Sequence, residues 1–166
     1  IAKSCNVYFY NIGLRLGSVP ILNYARYFGL NKKTNIDLPG ETRGFVPSDS
    51  WKRKTFNQRW FDGDTLNISI GQGFLQVTPI GLAAYYAGLV NDGVIYQPHL
   101  LKEVRNPVTK KVEFRVKPKI MREVPVNKDH LDTVRKGLRA VVTRGTARFM
   151  KSKKIPIAGK TGTVQT

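Results

Sequence analysis

Leu131, Val134, Leu138 and Val141 recur at spacings of three, four and three residues. An α-helix puts four such side chains on one face, because 3.6 residues complete a turn; a strand, with period two, scatters them. Asn127 stands where the N-cap is needed, and Gly145 stands where the helix must end. That apolar face obliges the rest of the chain to supply a core for it. The 166 residues suit one domain, and with 41% hydrophobic and 23% charged residues the apolar material suffices, which argues against wholesale disorder.

The remaining punctuation predicts further elements. Residues 6–16 read as a helix with Val7, Tyr10 and Leu14 on one face and Phe9, Ile12 and Leu16 on another, so it is expected to be buried. Gly17 ends it in the left-handed conformation. Ser18 is the candidate cap of a second helix running to Phe28, with Ile21, Tyr24, Ala25 and Phe28 inward and Gly29 closing it. Residues 31–64 are loop-rich, with a turn at Leu38-Pro39-Gly40-Glu41 and with Trp51 and Trp60 as anchors. Residues 65–70 are expected to be extended. Thr78 followed by Pro79 starts a small-residue helix to about Val90, which Asn91-Asp92-Gly93 stops. Residues 100–104 and 111–116 form a hairpin around Asn106-Pro107. Beyond Gly145, Ile155-Pro156-Ile157-Ala158 leads into a terminal strand. There is no internal repeat and no low-complexity tract.

The net charge of +17 raises the question of nucleic acid or an anionic surface. The positives are scattered, however, as in Lys32-Lys33, Lys52-Arg53-Lys54 and Lys151 with Lys153-Lys154, and neither a basic zipper helix nor zinc-finger spacing occurs. A soluble basic domain is the plainer reading. The single cysteine, Cys5, allows no internal disulfide and no cysteine zinc site. No apolar run approaches the length of a bilayer span. Because the chain starts at Ile1 and stops in an apolar, hydroxyl-rich stretch, both ends read as cut.

Two short motifs at opposite ends carry residues suited to chemistry: Ser4-Cys5-Asn6 and Lys160-Thr161-Gly162-Thr163. Each has an ordinary reading, the first as a helix N-cap through Ser4 or Asn6, the second as a strand leaving a turn. Taken together they match the Ser-x-Asn loop and Lys-Thr-Gly strand of active-site serine acyl transferases. The sequence between them sharpens the match. Trp60-Phe61-Asp62-Gly63-Asp64-Thr65, Ile70-Gly71-Gln72-Gly73 and Val77-Thr78-Pro79-Ile80 closely resemble the class B penicillin-binding proteins. Asn91-Asp92-Gly93-Val94-Ile95 with Pro98-His99-Leu100-Leu101 resembles their elongation subtype. Ile36-Asp37-Leu38-Pro39-Gly40-Glu41 and Gly145-Thr146-Ala147 also match, and the resemblance runs in order over essentially the whole chain.

The resemblance implies an α+β fold of the penicillin-binding transpeptidase and serine β-lactamase-like type, an antiparallel sheet flanked by helices with the active site in a groove at the sheet edge. Residues 1–166 would be a partial transpeptidase domain, from the Ser-x-Asn loop through the Lys-Thr-Gly strand, with an incomplete sheet and with the nucleophile segment and the C-terminal strands and helix outside it. An unpaired sheet edge tends to associate, so the isolated fragment is expected to order only in part or with another chain's help. The implied activity is peptidoglycan D,D-transpeptidation through an acyl-serine, with penicillin acylating the same serine and the fragment inactive alone.

The substrate ends in D-Ala-D-Ala and brings a carboxylate and a scissile amide. Lys160, Thr161 and Thr163 would hold the carboxylate. Gly162 would let a peptide approach the strand, and the Thr163 N–H would face the oxyanion. Ser4 would pass a proton to the leaving amine, and Asn6 would fix the incoming peptide.

The expected partners are the stem peptide, β-lactams and a shape- and elongation-type glycan polymerase, with no nucleic acid, no cofactor and no metal. The expected location is the periplasmic side of an inner membrane to which the full-length protein is anchored. A β-lactam-sensing receptor or β-lactamase is the alternative within the motif class; a basic module binding wall polymer or nucleic acid is the alternative outside it.

Some residues depart from the pattern or read plainly. No lysine has a serine three positions before it, so the nucleophile is absent from this chain; Thr133-x-x-Lys136 comes nearest and reads as helix surface. Some relatives carry Asp where Asn6 stands. His99 and His130 read as structural or surface histidines, Cys5 as a buried unreactive thiol, and Gln72 as a packing residue between glycines that allow close backbone approach. Asp62 and Asp64 read as a loop capping its own turns.

Overall fold

The computed structural model describes residues 1–162. Their elements in chain order are α1 (Asn6–Leu16), α2 (Ser18–Tyr27), α3 (Asp49–Phe56), α4 (Asp62–Ser69), α5 (Pro79–Val90), β1 (Val94–Tyr96), β2 (Glu103–Arg105), β3 (Val112–Arg115), β4 (Ile120–Glu123) and α6 (Lys128–Arg144), followed by a 3-10 turn at Arg148–Met150. The class is α+β. The strands form two antiparallel pairs, β1 with β4 and β2 with β3. A lone bridge joins Phe45 to Gln76.

The helix read from spacing forms as read. Asn127 Oδ1 accepts the Asp129 N–H at 2.8 Å, and Leu131, Leu138 and Val141 are buried. Leu131 and Leu138 join Phe28, Leu89, Ile95 and Val124 in the main core, closed over by Tyr85, Met121 and Val134. Gly88 lets α5 approach β1: a Cβ there would lie 2.7 Å from Ile95 Cγ1. Thr78 caps α5 by accepting the Gly81 N–H, with Pro79 as its first residue. The β2–β3 hairpin forms where expected, its turn organised by Asn106 Oδ1, which accepts the Val108 and Thr109 N–H groups at 2.9 Å.

A second core joins Leu22, Val46 and Ile68, with Trp60 packed against it. The other anchor, Trp51, meets Phe45, Phe74 and Phe56 edge-on, with centroids 4.7, 5.1 and 5.5 Å away. The preceding loop is ordered by carboxylates. Glu41 accepts the Thr34 hydroxyl and the Thr34 and Asn35 N–H groups. Asp37 accepts the Leu100 and Leu101 N–H groups.

Several expectations fail, each for a physical reason. Residues 65–70 are not extended but mostly helical within α4, and α3 occupies part of the presumed loop. Both helices are short, and capping decides them. Ser48 Oγ accepts the Trp51 N–H at 3.1 Å, while Asp64 Oδ2 accepts the Phe61 N–H at 2.8 Å. Gly17 has positive φ but an extended ψ of 167°, and Gly17, not Ser18, is the N-cap of α2, whose last residue is Tyr27. α1 is not buried on most sides: Val7, Tyr8, Ile12, Leu14 and Leu16 are exposed, since among the described residues only α2 and α4 pack on it. Residues 155–162 hold no strand, and the rest of the expected terminal strand, residues 163–166, lies outside the described residues. The segment instead follows α6, with the Gly159 N–H donating to Leu138 O at 3.2 Å.

Candidate active site

Ser4 closes a tight turn in which its N–H donates to Ile1 O at 3.1 Å, and its φ of 50° lies in the left-handed region that a serine adopts at a cost. Cys5 is the N-cap of α1, Asn6 is its first residue, and no side chain caps it. The ordinary capping reading of Ser4 and Asn6 is therefore not realised, which leaves the Ser4 hydroxyl and the Asn6 amide free of that duty. The positive φ turns the Ser4 side chain toward the far end of the chain, where Lys160 Nζ donates to Ser4 Oγ at 2.8 Å. The same ammonium donates to Thr161 O at 2.7 Å and lies 3.4 Å from Thr161 Oγ1. Ser4 Oγ and Thr161 O thus hold the cation, with Thr161 Oγ1 at the limit of reach.

These groups line a cleft of about 400 Å³ together with Asn6, Gly162, the Ile70-Gly71-Gln72 turn and, from α5, Leu82 and Tyr86. A smaller recess beside it, also lined by Ser4 and Lys160, is closed by Phe9 and Ser69. The Ser4 turn comes to lie beside the Ile70-Gly71-Gln72 turn because α1 lies on α4 through Gly13, where a Cβ would stand 2.5 Å from Ser69 Cβ. The hydroxyls, the amide and the ammonium converge on this one open space. A side chain at Gly162 would meet nothing within 4 Å.

The family model for the penicillin-binding protein transpeptidase domain matches residues 1–166. The chain belongs to that family. Among relatives of the transpeptidase domain, the peptidoglycan D,D-transpeptidase MrdA of Acinetobacter baumannii is 33% identical over 99% of this chain and 24% of its own length. The chain therefore spans about a quarter of such relatives. The penicillin-binding protein PBP2 of Helicobacter pylori, solved in complex with MreC, superposes with a TM-score of 0.81 at 34% identity, covering 100% of this chain and 30% of that one. PBP2 of Pseudomonas aeruginosa, solved with WCK 5153, gives a TM-score of 0.71 at 37% identity over 87% of this chain and 32% of that one.

Within this transpeptidase-domain frame, Ser4, Asn6, Lys160, Thr161 and Gly162 share the cleft; Thr163 lies outside the described residues. Five lining residues, Ile70, Gly71, Gln72, Leu82 and Tyr86, are not among the site residues that the sequence motifs single out. Gln72 has its signal in the flanking glycines, which by themselves mark only close packing. Gly71 has φ 78° with nothing within 4 Å of an added Cβ, so its need is conformational; Gly73, with φ 76°, does also approach Asn67. Tyr86 and Leu82, four apart on α5, carried no signal beyond an apolar helix; burial pushes the Tyr86 phenol pKa upward, favouring the neutral form at the cleft wall.

Cys5 is exposed, not buried, since it lies at the start of an uncovered helix. His99 Nδ1 lies 2.8 Å from Leu101 O, within its own loop. Asp62 and Asp64 lie in the first turn of α4 and not in a loop; Asp64 caps that helix and pairs with Lys52.

Proposed function

We propose that this chain is the part of a peptidoglycan D,D-transpeptidase that carries the proton-relay serine and the carboxylate-binding Lys160 segment, and that the acyl-accepting serine comes from residues outside these 166. The observation that carries the reading is the hydrogen bond from Lys160 to Ser4 at the wall of an open cleft.

The chemistry follows from the donors and acceptors. A D-Ala-D-Ala terminus enters with a carboxylate that Lys160 and the Thr161 hydroxyl bind by charge-assisted hydrogen bonds, and Thr163 is proposed to share that role. The nucleophilic serine attacks the penultimate carbonyl, the C–N bond breaks, and the nucleophile's proton must end on the departing D-alanine amine. Because Lys160 donates to Ser4 Oγ, the Ser4 O–H points elsewhere and is free to give its proton to that amine while Ser4 takes up the one released by the nucleophile. The acceptor amine of a second stem peptide reverses the relay and restores the serine. Asn6 offers an amide to the peptide backbone at the rim, and Gly162 leaves that side of the segment open to it.

Penicillin follows the first half of this path and stops at the acyl-enzyme. Relatives carry the names MrdA and PBP2, and one was solved with MreC. By extension, the full-length protein is proposed to work at the cell envelope, anchored in the inner membrane with this domain in the periplasm, beside a glycan polymerase of the elongation machinery.

Labelled penicillin tests the reading. The 166-residue chain should remain unlabelled, and the full-length protein should form a stable covalent adduct. Rapid turnover of the drug instead of a lasting adduct would make the protein a β-lactamase, and no adduct at all would sink the acyl-transfer reading.

A further inference from the structure

We propose that Thr146, just beyond the end of α6, is a positioning residue that holds both motif segments in place, an inference that rests on the acyl-transfer reading of the cleft. Its backbone N–H donates to Ala2 O at 3.1 Å, two residues before Ser4. Its hydroxyl shares a hydrogen bond of 2.9 Å with the Thr161 hydroxyl. Among the described residues, Thr146 is the side chain outside the two motifs that hydrogen-bonds to a motif residue. It does not line the cleft itself, so it acts through Thr161.

The support beneath it is rigid. The Ala147 N–H donates to Val141 O at 3.1 Å, and Ala147, Val141 and Val142 form a buried cluster against Ile157. Gly145 makes the approach of the N-terminal segment possible: a Cβ there would lie 2.2 Å from Ala2 O and 2.7 Å from Val141 Cα. Farther back on the helix, Ile1 packs over Gly137, where a Cβ would lie 2.6 Å from Ile1 Cδ1, and Arg139 donates to Ile157 O. The last turns of α6 are thus the common mount for the Ser4 turn and the Lys160 segment, and Thr146 contributes a bond to each segment.

The hydroxyl pair has a chemical consequence. Lys160 lies 3.4 Å from Thr161 Oγ1, too far to orient that hydroxyl strongly. Either hydroxyl can donate in this pair; with substrate bound, Thr146 is the proposed donor, so that the Thr161 proton points into the cleft and donates to a substrate carboxylate. Without Thr146, the Thr161 hydroxyl rotates among its staggered positions, and part of the carboxylate recognition is lost before the chemical step.

The test uses the full-length protein and labelled penicillin, with the acylation rate measured against drug concentration. Thr146→Val should raise the half-saturating concentration about tenfold while the limiting rate stays within about threefold, as expected for a lost hydrogen bond that orients binding. The unfolding temperature should be unchanged, and Thr146→Ser should return to within about threefold of the parent. If valine perturbs folding, Thr146→Ala carries the same comparison. A parent that is labelled and a Thr146→Val variant with unaltered concentration dependence would overturn the role of Thr146 alone. A loss that serine does not restore would overturn it too, by assigning the effect to packing. An unlabelled parent would remove the acyl-transfer reading and this proposal with it.

Discussion

Lys160 Nζ and Ser4 Oγ lie 2.8 Å apart although 156 positions separate them in the chain. The contact is a directed hydrogen bond in which the ammonium is the donor, and this leaves the serine proton unengaged. If that proton is the one delivered to the leaving group, Ser4→Ala in the full-length protein should lower the second-order rate of acylation by labelled penicillin by about 10²–10⁴-fold, the range of positioned proton transfer. The variant should keep the parental unfolding temperature. An unaltered rate would remove Ser4 from the relay.

Gly13 sets the distance between α1 and α4, and two opposing effects of Gly13→Ala can be weighed. Helix propensity favours alanine by up to about 1 kcal/mol. A Cβ at Gly13, however, would meet Ser69 Cβ at 2.5 Å and Ser69 Oγ at 2.8 Å, and overpacking of this kind costs about 1–3 kcal/mol. The steric cost wins, so urea denaturation should show net destabilisation. Gly63→Ala is the control. Nothing lies within 4 Å of its added Cβ, and its φ is not positive, so it should be neutral or stabilising by about 0.5–1 kcal/mol.

Asp64 pairs with Lys52, whose side chain is only 5% exposed against 12% for the aspartate, and Lys52 also faces the Phe61 ring with its ammonium 4.7 Å from the centroid. Asp64→Asn leaves a buried ammonium without a counter-charge. Breaking a buried pair from one side costs about 3–5 kcal/mol, and the drop should appear as a lower denaturation midpoint with an unchanged slope. A change below about 1 kcal/mol would mean that the rings or water satisfy Lys52 alone.

Asp92 predicts a pH dependence. Hydrogen bonds from Arg135 first and Lys128 second hold its carboxyl below the ordinary value of 3.8. A group whose folded value is depressed stabilises the fold above its unfolded value, and that contribution is lost as pH falls through the folded one. The loss therefore falls below about pH 4. Asp92→Asn should show a shallower decline in denaturation midpoint than the parent below that pH and no added slope above it; parallel curves would refute the linkage.

What could be read from the residues, and what could not, follows the range of the interactions. Asn127 with the Leu131, Val134, Leu138 and Val141 stripe, Thr78 with Pro79, and the Asn106 turn are decided within a few positions of chain, by caps and periodicity that any helix or hairpin obeys; all of them formed. The same local rules misjudged α4, where Asp64 caps a helix too short to display a period, and they placed α1 in a core it does not enter. The residue types of the cleft were legible as Ser4, Asn6, Lys160, Thr161 and Gly162. Their convergence followed from the family resemblance and not from any local rule, and the inclusion of Gln72, Leu82 and Tyr86 was not legible. Hydrogen bonds and close packing act over a few ångströms, so proximity between distant positions is settled only once α1 rests on α4 through Gly13 and the end of α6 grips both chain segments through Gly145 and Thr146.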